Sequence, residues 1–205
     1  MLRPVIVVGE HDATAAFLTE AGHLKRTKRA GWWIAGVRDP ESVAEHTYRT
    51  GIIAYVLALM EGCNADRAAV LALFHDVPET RTGDVPSTGK RFMSCAADED
   101  VIATQTEGMP ADVAGPIRDL IAEFAAEESP EARCAKDADK IECLLQALEY
   151  QAQGNTLVQP WVDTMATAVR TESGKRLVES ALRVPVDAWW WDIVASYGKD
   201  PGRLA

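Results

Sequence analysis

Four histidines are all this 205-residue chain contains, and two of them stand where metal chemistry would use them. His75 is followed at once by Asp76, in the run Leu73-Phe74-His75-Asp76. Adjacent residues on a helix diverge by about 100° around its axis, so a His-Asp pair can flank one point beside it. Two ligands from one helix make half of a metal site. His46, on the preceding helix, can supply a third, and a carboxylate from a distant helix would complete the set. The run Lys136-Asp137-Ala138-Asp139 offers two candidates, Asp137 and Asp139. Both fall near the start of a long helical stretch, and helix interiors do not favour aspartate. A mixed imidazole and carboxylate set with open positions suits Mn²⁺, Fe²⁺, Co²⁺ or Zn²⁺ better than a structural thiolate site does. Such a metal acidifies a water and polarises a phosphoryl oxygen.

Each residue also has a plainer reading. A single histidine on an apolar helix face is commonly a hydrogen-bonded core residue. A His-Asp pair arises by chance, as His11-Asp12 in this chain shows. Acidic residues in a first helical turn complement the helix dipole. Spacing alone therefore leaves Asp137 and Asp139 unresolved.

The elements that must position these residues read as helices. Asp12 can cap a first helix through about Leu24, with Ala16, Phe17 and Leu24 at helical spacing. A Gly-rich, basic loop follows. Ser42 and Glu45 form a capping box that opens a helix through about Glu61, and Gly62 stops it. Asn64 caps the next helix, which the run from Ala72 to Glu79 closes, with Pro78 near its end. Thr82 to Lys90 is a second polar loop. Helices are expected over about 98–107, 110–127 and 131–153, the last framed by Pro130 and Gly154. Two more fit 158–172 and 174–182, and Pro185 starts a final one through Trp189, Trp190 and Trp191. The run Val5-Ile6-Val7-Val8 could be a strand but has no partner. The expected fold is all-α, one helical bundle over 12–184, with an N-terminal tail over 1–11 and a C-terminal helix and tail over 185–205 packing on it. The C-terminal third shows no chemical motif. Its tryptophans, Trp161 included, are expected first in the core and second at a dimer surface.

The formal net charge of -10 argues against a nucleic-acid or anionic membrane surface. It permits a small phosphorylated substrate, because a metal ion and a few local cations override the bulk field at one site. Cys63, Cys95, Cys134 and Cys143 form no C-x-x-C pair, so free thiols in a cytoplasmic protein are expected. No apolar run reaches the ~18 residues of a spanning helix.

Three local contexts, PESVAEHTYR, ALFHDVPETRTGDVP and AKDADKIECLLQALEYQ, stand in that order. With them the chain resembles the HD-domain phosphohydrolases, in the branch that contains the bacterial 5'-deoxyribonucleotidase and the eukaryotic HD domain-containing protein 2. The resemblance runs from about Leu18 to Gly154. It implies an HD-domain helical bundle with one divalent metal held by His46, His75, Asp76 and Asp139, with Asp137 as runner-up for the last place. It implies two further acidic residues: Glu79, on the helix face of His75, orienting the attacking water, and Asp84 protonating the leaving oxygen. It also implies a homodimer and a small-molecule nucleotide substrate.

On the phosphate side the chain departs from the bacterial pattern. Gly31 stands where that pattern has an arginine before the tryptophan, here Trp32. Arg29, in an Arg-x-Gly-Trp arrangement, and Lys90 are the remaining phosphate candidates. The expected activity is removal of the 5'-phosphate from (deoxy)ribonucleoside monophosphates. The alternatives are hydrolysis of nucleoside triphosphates or of an unusual biosynthetic nucleotide, and a non-catalytic nucleotide-binding module. A di-iron oxygenase is disfavoured, because no histidine lies between His75 and Asp139.

Overall fold

The computed structural model describes residues 9–197. Among them every regular element is helical, and the only strand-like pairing is an isolated antiparallel bridge between Lys28 and Ser42. The Val5–Val8 run lies outside the described residues. In chain order the helices are α1 (Glu10–Ala21), α2 (Gly31–Ile34), α3 (Val43–Glu61), α4 (Ala65–Phe74), α5 (Glu79–Thr82) and α6 (Ser87–Lys90). They continue with α7 (Asp98–Gln105), α8 (Ala111–Ala126), α9 (Pro130–Ala152), α10 (Gln159–Ala168), α11 (Glu172–Ala181) and α12 (Ala188–Tyr197).

The helix ends follow local chemistry. The Ser42 side chain accepts the N–H of Glu45 while Glu45 reaches back to the Ser42 N–H, so α3 starts on a full capping box. Gly62 ends it in the left-handed region at φ 75°, where a side chain would be strained. Asn64 caps α4 by accepting from Arg67 N–H. Ser129 caps α9 with Pro130 in its first turn, and Gly154 closes that end at φ 97°.

Four expectations change. Asp12 is not a cap: α1 begins at Glu10 after Gly9, and Asp12 sits in its first turn, favourable to the helix dipole. Both polar loops contain single helical turns, α2 and α6. The helix after Asn64 stops at Phe74, short of Pro78. Pro78 has no N–H to give to the Phe74 carbonyl, which instead accepts Val77 N–H at 3.0 Å, so Glu79 opens a separate turn. The fourth concerns the C-terminal tryptophans. Trp189 is 76% exposed and Trp191 53%, so neither is in the core.

The centre of the bundle is α3, α4 and α9, whose fully buried Leu57, Leu71 and Leu144 anchor one continuous apolar cluster. Each such leucine stabilises the fold by roughly 1.5–3 kcal/mol. A second cluster around Ile102, Ile121 and Phe17 seats α7 and α8 against α1. All four cysteines are free thiols, with Cys63 and Cys134 in contact at 3.7 Å. No helix among the described residues is long and apolar enough to cross a membrane.

Candidate metal centre

The core trio also carries the candidate ligands. The capping box fixes the start of α3, and His46 lies in its first turns, fully buried. His75 follows the last residue of α4. Its Nδ1 lies 2.6 Å from the Ala72 carbonyl, which can only accept, so Nδ1 carries the proton and Nε2 presents a lone pair. Asp76 comes with it, and α9 brings Asp139. His46 Nε2 stands 3.2 Å from Asp139 Oδ1 and 3.6 Å from Asp76 Oδ2. His75 Nε2 stands 3.1 Å from Asp76 Oδ1 and 3.9 Å from Asp139 Oδ1. The chain's three central helices thus deliver two imidazole nitrogens and two carboxylates to one point.

Asp137 goes elsewhere. Its carboxylate is buried and accepts the backbone N–H of Arg170 at 2.9 Å and of Thr171 at 2.7 Å, with Lys140 beside it. It ties α9 to the segment entering α11.

Buried polar groups are ordinarily hydrogen-bonded, so those that are not need a partner of another kind. His46 Nε2, Asp76 Oδ2 and Glu79 Oε2 are buried without a hydrogen-bond partner. His46, His75 and Asp76 offer donor atoms close enough to share one ion. This donor set, neutral nitrogen plus carboxylate oxygen, fits a divalent transition metal.

The local charges fit as well. Burial opposes a charged His46 and so does Arg29, yet Asp139 and Glu142 outweigh both and push His46 up to about 10. Burial works against the Asp76 anion, but His75, His46 and Arg29 hold it down to about 2. Burial, then the charges of Asp76 and Asp84, push Glu79 up to about 9. The raised His46 and Glu79 report crowded carboxylates, which a bound dication would relieve, while the lowered Asp76 is kept as the anion that a cation needs.

A cleft of about 280 Å³ opens over this point, lined by Arg29, Trp32, Asp76, Glu79, Asp84, Lys90 and Asp139 among others. Glu79 reaches it although its helix is not that of His75, because His75 and Pro78 keep right-handed helical dihedrals through the turn. Asp84 Oδ2 accepts the Ala30 N–H at 2.5 Å, which pins the second loop to the first. Arg29 lies between two carboxylates, 3.9 Å from Asp76 and 4.0 Å from Asp84. Lys90 is exposed at the rim. Trp32 is only 2% exposed, its Nε1–H donated to Glu41 at 2.9 Å.

Two contributions escaped the sequence reading. Trp161, expected in the core, is half-buried and lines the cleft, 5.7 Å from the Trp32 ring. It sits over Gly31, where an added Cβ would meet its Nε1 at 3.7 Å. The absence of a side chain at Gly31 was the visible trace. The other is Glu142, fully buried on α9 and paired with His46 Nδ1. Its signal was a lone acid inside the apolar run Ile141 to Leu145, one turn after Asp139.

Comparison with known proteins identifies the family. Residues 21–179 match the HD domain family. The chain is 36% identical over 137 residues to the 5'-deoxynucleotidase HDDC2 of Bos taurus, covering 66% of this chain and 66% of that protein, just under two thirds of its length. It is 34% identical over 147 residues to the 5'-deoxynucleotidase YfbR of Escherichia coli, covering 65% and 73%. Among solved structures, a conserved hypothetical protein from Pyrococcus furiosus superposes with a TM-score of 0.68 at 27% identity, covering 82% of this chain and 98% of that one.

Proposed function

The chain belongs to the HD domain family, and from that premise we propose that it is a metal-dependent phosphohydrolase that removes the 5'-phosphate from (deoxy)ribonucleoside monophosphates. The observation that carries this reading is the convergence of unpartnered buried atoms, His46 Nε2, Asp76 Oδ2 and Glu79 Oε2, beneath a cleft that also holds Arg29. His46, His75, Asp76 and Asp139 hold one divalent ion: Mn, Co, Fe or Zn. Such an ion acidifies water and polarises a phosphoryl oxygen. Relatives named 5'-deoxynucleotidases support the substrate class.

The chain's own groups divide the remaining work. Arg29, with Lys90 at the rim, binds the phosphate, exchanging its carboxylate neighbours for phosphoryl oxygens. Trp32 forms a wall of the cleft beside the sugar. Glu79, which lines the cleft and whose Oε2 is buried without a hydrogen-bond partner, orients the attacking water. The water oxygen bonds to phosphorus as the bond to the 5'-oxygen breaks. Asp84 delivers a proton to that leaving oxygen and is reprotonated by the proton that the attacking water gives up. Its Oδ2 is committed to Ala30, so Oδ1 is the donor atom. The products are nucleoside and inorganic phosphate.

A second substrate reading, a triphosphate or an unusual nucleotide, is favoured by one feature: Gly31 removes a side chain from the cleft. The cleft volume of about 280 Å³ lies at the small end for ligand sites and favours the monophosphate. A panel of nucleotides with Mn²⁺ or Co²⁺ and phosphate detection tests both. Release of one phosphate from dAMP and none from dATP is expected. Failure to release phosphate from any nucleotide sinks the hydrolase reading in favour of a binding module.

We also propose a homodimer and a reducing, cytoplasmic setting. The exposed apolar side chains Tyr48, Ile52, Tyr55, Leu59 and Leu73 on α3 and α4 support the first. The four free thiols support the second.

A further inference from the structure

We propose that Glu142, held in place by Arg49, is a positioning residue for the metal centre: it fixes the proton of His46 on Nδ1 and so commits Nε2 to the cation. This rests on the metal reading above and extends it to a residue that never meets the ion.

His46 and Glu142 side chains are both 0% exposed, and Glu142 Oε2 takes the His46 Nδ1 hydrogen bond. Asp139 stands 3.2 Å from the other ring nitrogen. Asp139 and Glu142 are three residues apart on α9 and share its face. One helix therefore meets the imidazole at both of its nitrogens. The second oxygen of Glu142 is occupied too: Arg49 donates to Oε1 from Nε at 2.9 Å and from Nη2 at 2.7 Å. Arg49 lies one turn after His46 on α3. Gln146, 2.8 Å from Arg49, and Glu149 complete its cradle from α9.

Stability alone does not account for this arrangement. A buried ion pair is often no better than an apolar pair of the same volume, because desolvation offsets the attraction. What the carboxylate adds is direction. It can only accept, so a proton stays on Nδ1, and the proton that a cation displaces is the one on Nε2, which is buried, without a hydrogen-bond partner and faces Asp76 and Asp139. A histidine whose far nitrogen donates to a carboxylate is a more basic and better oriented ligand, and losing that partner weakens metal binding by about 10- to 100-fold.

Glu142→Gln separates direction from volume. Arg49 still requires an oxygen, so the glutamine carbonyl turns to Arg49 and its amide N–H₂ faces Nδ1. That drives the imidazole proton to Nε2, the atom the cation needs. Titration of Zn²⁺ and Mn²⁺ into the metal-stripped full chain should show Kd weakened about 10- to 100-fold, with wild-type helical circular dichroism. In proton spectra of the zinc-loaded chains, the downfield His46 Nδ1–H signal that a carboxylate acceptor produces in the wild type should be lost or shifted upfield in Glu142→Gln, a signature that mere loosening of the fold does not produce. A Kd within about twofold of wild type, or an unmoved Nδ1–H signal, overturns the proposal. If Glu142→Gln does not fold, Arg49→Met decides instead. It leaves Glu142 without its anchor and should weaken Kd by at least about threefold, and an unchanged Kd is fatal to the idea. A wild-type chain that binds no divalent ion would sink the metal reading itself, whereas unchanged variants of a metal-binding wild type sink only this inference.

Discussion

Asp137 and Asp139, two residues apart on α9, face different parts of the molecule: Asp139 lies 3.2 Å from His46 Nε2, while Asp137 accepts the backbone N–H groups of Arg170 and Thr171. Two residues turn about 200° around a helix, so the pair cannot serve one site.

Their substitutions should therefore separate cleanly. Asp139→Asn removes a ligand, and metal content after dialysis and phosphate release should both fall, the latter by about 100-fold or more. Asp137→Asn should leave metal content unchanged and lower stability by roughly 1–3 kcal/mol, the cost of weakening buried hydrogen bonds to a charged group. Metal analysis and urea unfolding of both variants check this. Loss of metal in Asp137→Asn with retention in Asp139→Asn would reverse the assignment.

Metal removal should destabilise the fold as well as stop turnover. The ligands come from α3, α9 and the end of α4, so an ion bound only by the native state ties those elements together. At a free concentration about 100 times Kd it stabilises by about 2.7 kcal/mol. Calorimetry with and without chelator should show the difference, and His75→Ala should abolish it. An identical melting temperature in both buffers would argue against a site of this kind.

Trp161→Ala should raise KM far more than it lowers kcat. The indole lines the cleft but lies over Gly31, beside Trp32, rather than among the metal ligands. An aromatic face against a base is worth roughly 1–3 kcal/mol, about 5- to 150-fold in affinity. Steady-state kinetics on dAMP check it, and a fall in kcat at unchanged KM would assign Trp161 another role.

Acid should loosen the packing of α1 through Glu20. The hydrogen bond from Arg81 outweighs burial, and with Gln105 and Thr80 it lowers the Glu20 carboxyl to about 2. A carboxyl depressed in the folded state stabilises above its unfolded value. That contribution is complete above the ordinary carboxylate range near 4.5 and is lost as pH falls toward 2. Glu20→Gln should flatten the stability profile between those limits in urea titrations. An unaltered slope would show that the bridge contributes nothing.

The apolar face of α3 and α4 should mediate self-association. Ile52 is 49% exposed and Leu73 50%, both on a groove with Tyr48, Tyr55, Val56 and Val70. The double variant Ile52→Glu and Leu73→Glu should run as a monomer in light scattering, with helical content retained. A dimer that survives these charges lies on another face.

Much of the architecture was legible before any coordinates. Ser42 with Glu45, Asn64, Pro130 and the glycines at 62 and 154 act on their own backbone neighbours, so local chemistry places helix ends at those points. Gly9 with no capping side chain and Pro78 just past a helix end are where that logic slipped, because there the backbone, not a side chain, set the boundary.

By itself the sequence determined the all-helical bundle, because capping and period act over a few residues, and it supplied His46, His75 and Asp76 as ligand types in a telling order. Tertiary structure decided the rest. Periodicity shows which residues share a helix face but not which neighbour that face meets. Only the packing of α9 against α3 sends Asp139 to the histidines and Asp137 to the backbone of Arg170, and puts the buried acid Glu142 behind His46. Only the return of α10 across the cleft brings Trp161 over Gly31, from a stretch of chain far away in sequence.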